Sequence, residues 1–403
     1  MNFSKSNQIQ LCAAKILTVF FLVIIYSNLA LTVSGVEFFE EFHENRRLGD
    51  LPSVNLNSIS YKSITSLASG LKSYINDHFA FRKPLIMFYN SFTWYLFETS
   101  SSPIAMQGKD GWIFYGLKNL INDYERKETL YVEYINKIES SIANRQAWLA
   151  EKGIPFIFLI IPNKHNIYSQ YMPDYLQRGS GPSNGELLMQ QVLKKFPDVG
   201  VNIFDDLRKE SNNNQFYYKI DTHWNHNGAL LAVQEVLIQL KTFYPKIQYR
   251  ELPVMDIKHD TFSPGNFGRV MGVPLKEIER KSIPENGWAS KSKPTPELET
   301  FLPERAKIKR HFNPEAPPSC ILVFGDSYSG AGQFNFYLAE SFRDTVLLNL
   351  WATAQMPANR LPTKLIEHLK PDLVLFMIAE RRLGDYPEKE YYYSGNDPEL
   401  LTQ

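Results

Sequence analysis

Cysteine is nearly absent from this chain of 403 residues. Only Cys12 and Cys320 occur, and they stand far apart in the sequence. A fold stapled by several disulfide bonds is therefore excluded, and so is a zinc site built from cysteine thiolates.

The sequence also lacks a net charge. Its 43 lysine and arginine residues balance 43 aspartate and glutamate residues, whereas a nucleic-acid-binding protein normally carries a basic excess on one face. Hydrophobic residues make up 44% and charged residues 21% of the chain, the proportions of a folded globular protein. We therefore expect a folded protein that does not bind nucleic acid.

One long stretch near the N-terminus has no charged residue. It runs from Ile16 to Val36, and a helix of that length spans about 30 Å, the thickness of a bilayer core. Lys5 and Lys15 precede it and four glutamates follow it, so the positive-inside rule places the N-terminus in the cytoplasm and the rest outside. A cleaved signal peptide is the alternative, although Thr32-Val33-Ser34 is a poor cleavage site.

This segment suggests a division of the chain into three parts. Residues 1–36 would form a cytoplasmic tail and a transmembrane signal-anchor, and residues 37–60 a polar tether. Residues 61–403 would form one large domain, which begins with two helices within 63–97. A polar, proline-rich stretch at about 241–316 is interpreted as an insertion packed on the rim of this domain.

Short, uniformly apolar runs indicate the fold class. The run from Phe156 to Ile161 is too short for a helix and too apolar for a half-exposed strand, so we interpret it as a central parallel strand. Similar runs occur at 201–204, 321–324, 346–350 and 373–378. Helical segments separate most of them, at 186–196, 229–240, 333–342 and 363–369. This alternation predicts an α/β fold with an open, doubly wound parallel sheet flanked by helices.

A first chemically suggestive block follows one of these strands. Residues 321–324 lead directly into Gly325-Asp326-Ser327-Tyr328-Ser329-Gly330, and ligands of open α/β sheets bind beyond the carboxyl ends of the strands. Ser327 is therefore a candidate nucleophile, with its own N–H and the N–H groups after it as donors to an oxyanion. The alternative is a glycine- and serine-rich turn that only caps the next helix.

A second block combines an aspartate and a histidine. Asp221 and His223 are two residues apart in a polar loop before a helix, and in an extended segment this spacing puts both side chains on one side. The aspartate can then hold the imidazole Nδ1–H and leave Nε2 to accept a proton from a serine. Two alternatives stay open: helix capping, or a metal site of Asp221, His223 and His226 with His165 as a further ligand.

The two blocks together resemble a known family. Gly325-Asp326-Ser327-Tyr328 is similar to the GDS block of the SGNH hydrolases, and Asp221-Thr222-His223-Trp224 to their Asp-x-x-His block with one residue fewer. The Asp/His block comes first here, the reverse of the order in ordinary SGNH enzymes. That order, the N-terminal anchor and the segments 108–115 and 162–164 resemble the alginate O-acetyltransferase proteins of the AlgJ and AlgX type.

The resemblance implies an activity, a location and a partner. It implies an SGNH hydrolase-like domain in the periplasm, anchored in the bacterial inner membrane, that acetylates an exopolysaccharide or a cell-envelope polysaccharide. Ser327 would form the acyl-enzyme, with His223 as base and Asp221 as the residue that orients the base. No cofactor or metal is implied. A membrane-bound O-acyltransferase is implied as the partner that supplies acetyl groups.

The donors to the oxyanion have no recognised motif of their own in this sequence. The separate glycine and asparagine blocks of ordinary SGNH enzymes are not recognisable in this sequence. We therefore expect the backbone at Ser327 and Tyr328 to serve as donor, with Asn163 as a candidate side-chain donor.

Substrate contacts are assigned only as candidates. Lys164 and Arg381 follow apolar strands and are candidate contacts for an anionic sugar, against surface solvation or a local ion pair. Trp224, beside His223, is the most suggestive candidate for stacking on a sugar ring, ahead of Trp112 and Trp351. For all three tryptophans, burial in the core is the favoured interpretation over stacking.

Two other functions remain open at this point. A carbohydrate acetylesterase would use the same triad with water as the acceptor, and a non-catalytic subunit of a polysaccharide export complex would not use it at all. Because water competes for an acyl-enzyme, transfer requires that water be largely kept out. We therefore expect the insertion at 241–316 to lie over Ser327 and His223 as one wall of a groove.

Overall fold

The computed structural model describes residues 5–36, 38, 47–53, 60–127, 132–262, 264–302, 307–349 and 362–385. Most of the predicted tether at 37–60 lies outside the described residues, as do Leu350, at the end of a predicted strand, and Trp351. The chain divides into two compact units, residues 1–105 with 266–275 and residues 106–265 with 276–403.

The first unit contains three long helices, α1 (Lys5–Val33), α2 (Tyr61–His78) and α3 (Arg82–Phe97). Among the described residues, one helical segment, Leu11–Val33 in α1, is long and apolar enough to span a membrane. Ser60 caps α2, since its Oγ accepts the Ser63 N–H at 3.1 Å. The two helices predicted within 63–97 are thus present.

The second unit is an α/β domain. Its α-helices among the described residues are α4 (Lys118–Tyr124), α5 (Val132–Ala150), α6 (Lys164–Ile167), α7 (Asn184–Lys195), α8 (Phe204–Glu210), α9 (His226–Phe243), α11 (Pro296–Glu299), α12 (Phe334–Ser341) and α13 (Thr363–Leu369). Helix α10 (Gly265–Met271) belongs to the first unit from residue 266 onward. The strands are β1 (Ala105–Gln107), β2 (Ile113–Tyr115), β3 (Phe156–Ile161), β4 (Gly200–Val201), β5 (Met255–Phe262), β6 (Glu277–Pro284), β7 (Lys291–Lys293), β8 (Lys307–Phe312), β9 (Cys320–Gly325), β10 (Asp344–Asn349) and β11 (Leu373–Ala379).

A seven-stranded sheet in the order β4-β3-β11-β9-β10-β8-β7 forms the centre of this unit. The first five strands in this order, β4, β3, β11, β9 and β10, pair in parallel, as the apolar runs predict. β8 and β7 extend the sheet by antiparallel pairing, so the sheet is mixed and part of the predicted rim insertion belongs to it. A search for uniformly apolar runs does not reveal β7 and β8, because a half-exposed strand carries charged residues such as Lys309 and Arg310.

Both faces of the sheet are buried. Side chains alternate along each strand, so Ile157 and Leu159 pack with α9 and α12 on one face, and Phe156 and Phe158 with α5, α7 and α13 on the other. This arrangement confirms the predicted α/β class with helices on both sides of the sheet.

One predicted strand is wrong at its end. The apolar run 201–204 continues past β4, but Phe204 already begins α8. Asn202 ends the strand because its Oδ1 accepts the Phe204 N–H at 3.1 Å, which turns the chain into the helix.

Parallel pairing determines where the chemistry-bearing residues lie. Gly325 of β9 pairs with Met377 of β11, and Ala379 of β11 pairs with Ile161 of β3. The three strands therefore end at the same edge of the sheet. Ser327, Arg381 and Asn163, each within two residues of a strand end, follow at that edge.

Candidate active site

Ser327, His223 and Asp221 form a chain of hydrogen bonds at this edge. The Ser327 Oγ lies 2.8 Å from His223 Nε2, and His223 Nδ1 lies 2.7 Å from Asp221 Oδ1. The first distance falls within the range expected for a nucleophile and its base. Ser327 is exposed, His223 half-buried and Asp221 buried, so solvent exposure decreases inward from the reacting oxygen. The arrangement can move a proton from a serine hydroxyl to an oriented imidazole.

The turn that carries Ser327 is held by its neighbour Asp326, which the sequence analysis did not assign. Asp326 Oδ1 accepts the Tyr328 N–H at 3.0 Å, and Oδ2 accepts the Ala379 N–H at 2.9 Å. One carboxylate thus fixes the serine turn to the end of β11. Gly325 is required here, since a Cβ would lie 2.8 Å from both Met377 Cγ and Ser329 Cβ.

These bonds correct the expectation for the oxyanion donors. The Tyr328 N–H donates to Asp326 Oδ1, the Ser329 N–H to Asp326 O and the Gly330 N–H to Ser327 O. The N–H groups after Ser327 are therefore occupied within the turn, and Tyr328 is not the backbone donor expected for an oxyanion. The Ser327 N–H is left as the backbone candidate.

The serine turn and the Asp/His loop interlock through Tyr328. Its buried hydroxyl donates to Thr222 O at 2.7 Å and accepts from Arg381 Nη1 at 3.0 Å. Burial raises the pKa of Tyr328 to about 12, so the hydroxyl stays protonated and keeps donating. Arg381 also lies 3.4 Å from Thr222 Oγ1 and over the Tyr328 ring. Arg381 is thus half-buried beside the triad.

Lys164 does not occupy the surface position expected of a sugar contact. Its buried Nζ lies 2.6–2.9 Å from four backbone carbonyls, those of Ile113, Tyr218, Lys219 and Asp221. It also lies over the rings of Trp112 and Phe114. Burial lowers the pKa of Lys164 to about 7, whereas the charges of Glu277 and Asp221 act in the opposite direction. The ammonium therefore holds the backbone of the Asp/His loop from beneath.

A second, distant group holds the same loop from the insertion. Glu277, the first residue of β6, accepts the Ile220 N–H through Oε2 at 2.8 Å. Two residues along β6, Glu279 accepts the Tyr218 hydroxyl. The sequence offered no signal for either glutamate, because each lies more than fifty residues from its partner.

The insertion therefore only partly follows the expectation of a cover. β6 contacts the Asp/His loop, but residues 243–248 line a cleft of about 990 Å³ with 152–155 and 370–372. Those residues precede β3 and β11, so this cleft lies at the opposite edge of the sheet. Ser327 itself is exposed, and the described part of the insertion does not cover it.

Asn163 lies at the correct edge, in a polar cluster of its own. Its backbone N–H donates to Glu380 Oε2 at 2.7 Å, and Asn166 Nδ2 donates to the same oxygen at 3.0 Å. Burial raises the pKa of Glu380 to about 7. Two strand positions separate β3 from β9, about 10 Å at the usual strand spacing. Asn163 remains a candidate donor.

Two of the tryptophans belong to the core. Trp224 is fully buried, its Nε1 donates to Ala331 O at 3.0 Å, and its ring packs edge-on against Tyr328. Trp112 is buried and stacks on Tyr168 with ring centroids 4.2 Å apart. The burial of Trp224 agrees with the favoured core interpretation, and the buried ring offers no face to a sugar. Its role is to back the turn that carries Ser327.

His226 diverges from His223. The His226 Nδ1 lies 3.1 Å from the Tyr337 hydroxyl and its Nε2 lies 3.6 Å from Glu279, whereas the His223 nitrogens face Ser327 and Asp221. Within the described ranges, no three histidine, cysteine or acidic side chains are grouped as metal ligands. The side-chain directions favour the triad over the metal alternative.

Comparisons with known proteins show which family the fold belongs to. A family model described as an SGNH hydrolase-like domain, acetyltransferase AlgX, matches residues 105–372. The probable alginate O-acetylase AlgJ of Pseudomonas aeruginosa is 23% identical over 142 residues, which is 34% of this chain and 34% of that protein. The match thus spans about a third of the length of that relative.

A solved structure, that of PatB1, shares the fold. PatB1 of Bacillus cereus superposes with a TM-score of 0.51 at 18% identity, covering 71% of this chain and 99% of that one. The O-acetyltransferase domain of Pseudomonas putida AlgJ gives a TM-score of 0.46 at 16% identity, covering 74% and 97%.

Proposed function

The chain belongs to the SGNH hydrolase-like acetyltransferase family of AlgX, and we propose that it O-acetylates a polysaccharide through a Ser327–His223–Asp221 triad. Membership of the family supports the proposal that the chain is an SGNH-like O-acetyltransferase. One observation carries the proposal for the triad: Ser327 Oγ and Asp221 Oδ1 lie within 2.8 Å of opposite nitrogens of a single imidazole.

In each half of the proposed reaction, His223 accepts one proton and then returns it. Nε2 accepts the Ser327 proton as Oγ attacks the acetyl carbonyl, and the protonated imidazole returns that proton to the departing donor group. In the second half, Nε2 accepts the proton of a sugar hydroxyl whose oxygen attacks the acyl-enzyme, and returns it to Ser327. Asp221 stabilises the imidazolium in both halves. The Ser327 N–H is proposed to stabilise the oxyanion, with Asn163 as a further candidate.

The substrate and the location are part of the same proposal. The name of the AlgJ relative refers to alginate, which supports a polysaccharide acceptor without selecting the polymer. The apolar helix α1 supports anchoring in the inner membrane, with the α/β unit on the periplasmic side. A membrane-bound O-acyltransferase is proposed as the source of acetyl groups, and Arg381 as a contact for an anionic sugar.

The experiment that tests the triad compares the full chain with Ser327→Ala. The purified proteins are incubated with a chromogenic acetyl ester and a sugar acceptor, and product and intact protein are analysed by mass spectrometry. We expect an acetylated protein and acetylated sugar with the unaltered chain, and neither with Ser327→Ala. Ser319→Ala, the same change at the opposite end of β9, is the control expected to retain both. Acetylated sugar from Ser327→Ala contradicts the proposal.

The exposure of Ser327 favours one alternative, a carbohydrate acetylesterase. Water reaches an exposed Oγ, and an acyl-enzyme open to water is hydrolysed unless an acceptor hydroxyl is held close to it. The same assay separates the two functions: release of acetate unaffected by acceptor supports the esterase, and acetylated sugar supports the transferase.

A further inference from the structure

Helix α3 presents an apolar stripe to solvent. Leu85, Phe88, Tyr89, Phe92, Tyr95 and Leu96 follow a three- and four-residue spacing, and all six are exposed, Phe88 to 70% and Tyr95 to 65%. Residues at this spacing lie on one face of a helix. A helix of a soluble domain normally turns such a face to the core, so the stripe is the reverse of the usual arrangement.

The opposite face of α3 is already used within its own unit. Trp94 is buried, Asn90 Nδ2 donates to Met271 O at 2.5 Å, and Ser100 Oγ lies 3.3 Å from Met271 Sδ. The side of the helix that carries Asn90 and Trp94 is therefore packed, and the apolar stripe is outward. The orientation of the stripe follows from these contacts.

The start of α3 is attached to the end of the apolar helix α1. The Ala80 N–H donates to Thr32 Oγ1 at 3.0 Å, and the Phe81 N–H donates to Asn28 Oδ1 at 3.3 Å. Both acceptors lie in the last six residues of the Leu11–Val33 segment. At about 1.5 Å per residue, they are within about 8 Å of the end of that helix. If α1 spans a bilayer, this is the depth of the interface between acyl chains and headgroups.

The composition of α3 fits that depth. Tyrosine and phenylalanine are suited to the membrane interface, where an aromatic ring meets acyl chains while polar groups stay hydrated. Arg82 and Lys83 stand at the start of the helix, where they can meet anionic lipid headgroups. A second copy of the chain or a membrane protein could also cover the apolar stripe. Neither would explain why the start of α3 is bonded to the end of α1.

We propose that α3 lies in the outer interface of the membrane that α1 crosses, with Phe88, Phe92 and Tyr95 among the lipid acyl chains. The proposal rests on the proposed membrane anchoring of α1. It adds a second membrane contact, made with lipid rather than with a protein partner, beside the end of α1.

The test uses the full chain and measures how deep residues of α3 lie in a bilayer. In a background of Cys12→Ser and Cys320→Ser, single cysteines replace Phe88, Phe92 or Tyr95 and carry an environment-sensitive fluorophore. Tyr175→Cys, at a residue 74% exposed in the other unit, is the water-exposed control, and Val23→Cys in α1 is the deep control. Each protein is placed in nanodiscs of phosphatidylethanolamine and phosphatidylglycerol that contain lipids with a nitroxide near the headgroup or near the chain end.

The three α3 sites should be quenched more by the shallow nitroxide than by the deep one, whereas Val23 shows the reverse and Tyr175 neither. Quenching at Val23 without quenching at the α3 sites overturns the interfacial position of α3 but not the membrane anchoring of α1. Loss of quenching at Val23 as well overturns both, without touching the proposed acetyl transfer. Cross-linking between α3 sites of two copies, without lipid quenching, assigns the stripe to a dimer contact and also overturns the proposal.

Discussion

The serine half and the Asp/His half of the candidate site are held by contacts of different range along the chain. The Ser327 turn depends on Asp326, its immediate neighbour, and on the end of the adjacent strand β11. The Asp/His loop depends on Lys164 and Glu277. Lys164 lies 57 residues before its partner Asp221, and Glu277 lies 57 residues after its partner Ile220. The comparison teaches that one half is nearly complete within its motif, whereas the other requires three separate segments.

The largest expected effect comes from Asp221→Asn, which acts where the two halves meet. The amide no longer favours the imidazole tautomer that accepts the serine proton, and a change of this kind costs about 10⁴-fold in kcat. The assay is kcat on a chromogenic acetyl ester, with the thermal unfolding midpoint as a check on folding. A loss below about tenfold in a folded variant would show that Asp221 does not orient His223.

Lys164→Met should break the long-range half. Four carbonyls lose their shared donor, and loss of one partner from a buried charged cluster costs about 3–5 kcal/mol in the free energy of unfolding. In the folded fraction we expect kcat to fall while KM changes little, because the residue positions the loop and does not touch substrate. The matched control is Lys219→Met, since Lys219 is a nearby lysine whose Nζ donates to Asp110 O. This variant should change kcat and the free energy of unfolding less than Lys164→Met does.

If Lys164→Met does not fold, Glu277→Gln tests the same half more gently. It retains one oxygen acceptor for the Ile220 N–H and should lower kcat with a smaller loss of stability. Unchanged kcat in both Lys164→Met and Glu277→Gln would contradict the view that distant groups hold the loop.

Asp326→Asn should weaken the short-range half by a smaller amount. One of two backbone N–H groups, that of Tyr328 or Ala379, then faces an amide NH₂ and loses its acceptor, which costs about 1–3 kcal/mol. The control is Asp372→Asn, at the other end of the same strands, where an aspartate accepts the Cys320 N–H in an exposed setting. Equal denaturation midpoints for the two variants would show that the turn does not depend on Asp326.

Acid should loosen the Asp/His half through His226, which begins α9 behind the loop. Burial lowers the pKa of His226 to about 4 from the ordinary 6.5. The unfolded chain therefore binds more protons between pH 6.5 and 4, and the contribution of His226 to stability, present above pH 6.5, is lost as the pH falls through that window. His226→Gln should reduce the slope of the unfolding free energy there, by at most about 1.4 kcal/mol per pH unit. An unchanged slope contradicts this prediction.

Much of the fold was predictable because buried parallel strands have an obvious pattern. The runs 156–161, 321–324 and 373–378 coincide with β3, β9 and β11 within one residue at each end. β7 and β8 were not recognised, since a half-exposed strand alternates and carries charges. The region 201–204 was misassigned because the side chain of Asn202, rather than hydrophobicity, ends β4.

The candidate site was predictable only in part, for a similar reason. Asp326 lies within the GDS block, so a closer reading of that block could have found it. The burial of Lys164 had no local signal, because a lysine that follows a strand is normally expected in solvent. Glu277 lies in a segment that has no chemical motif of its own.

The sequence by itself determined which residues are able to do the chemistry, since a serine after a glycine at a strand end and an Asp-x-His loop are local features. It also determined the apolar span, because length and charge are sufficient to define one. Only the tertiary structure decided that Ser327 and His223 meet at 2.8 Å, that Lys164 faces four carbonyls and not a sugar, and that the apolar stripe of α3 is outward. Each of these depends on which segments pack together, and packing joins residues whose separation along the chain carries no pattern.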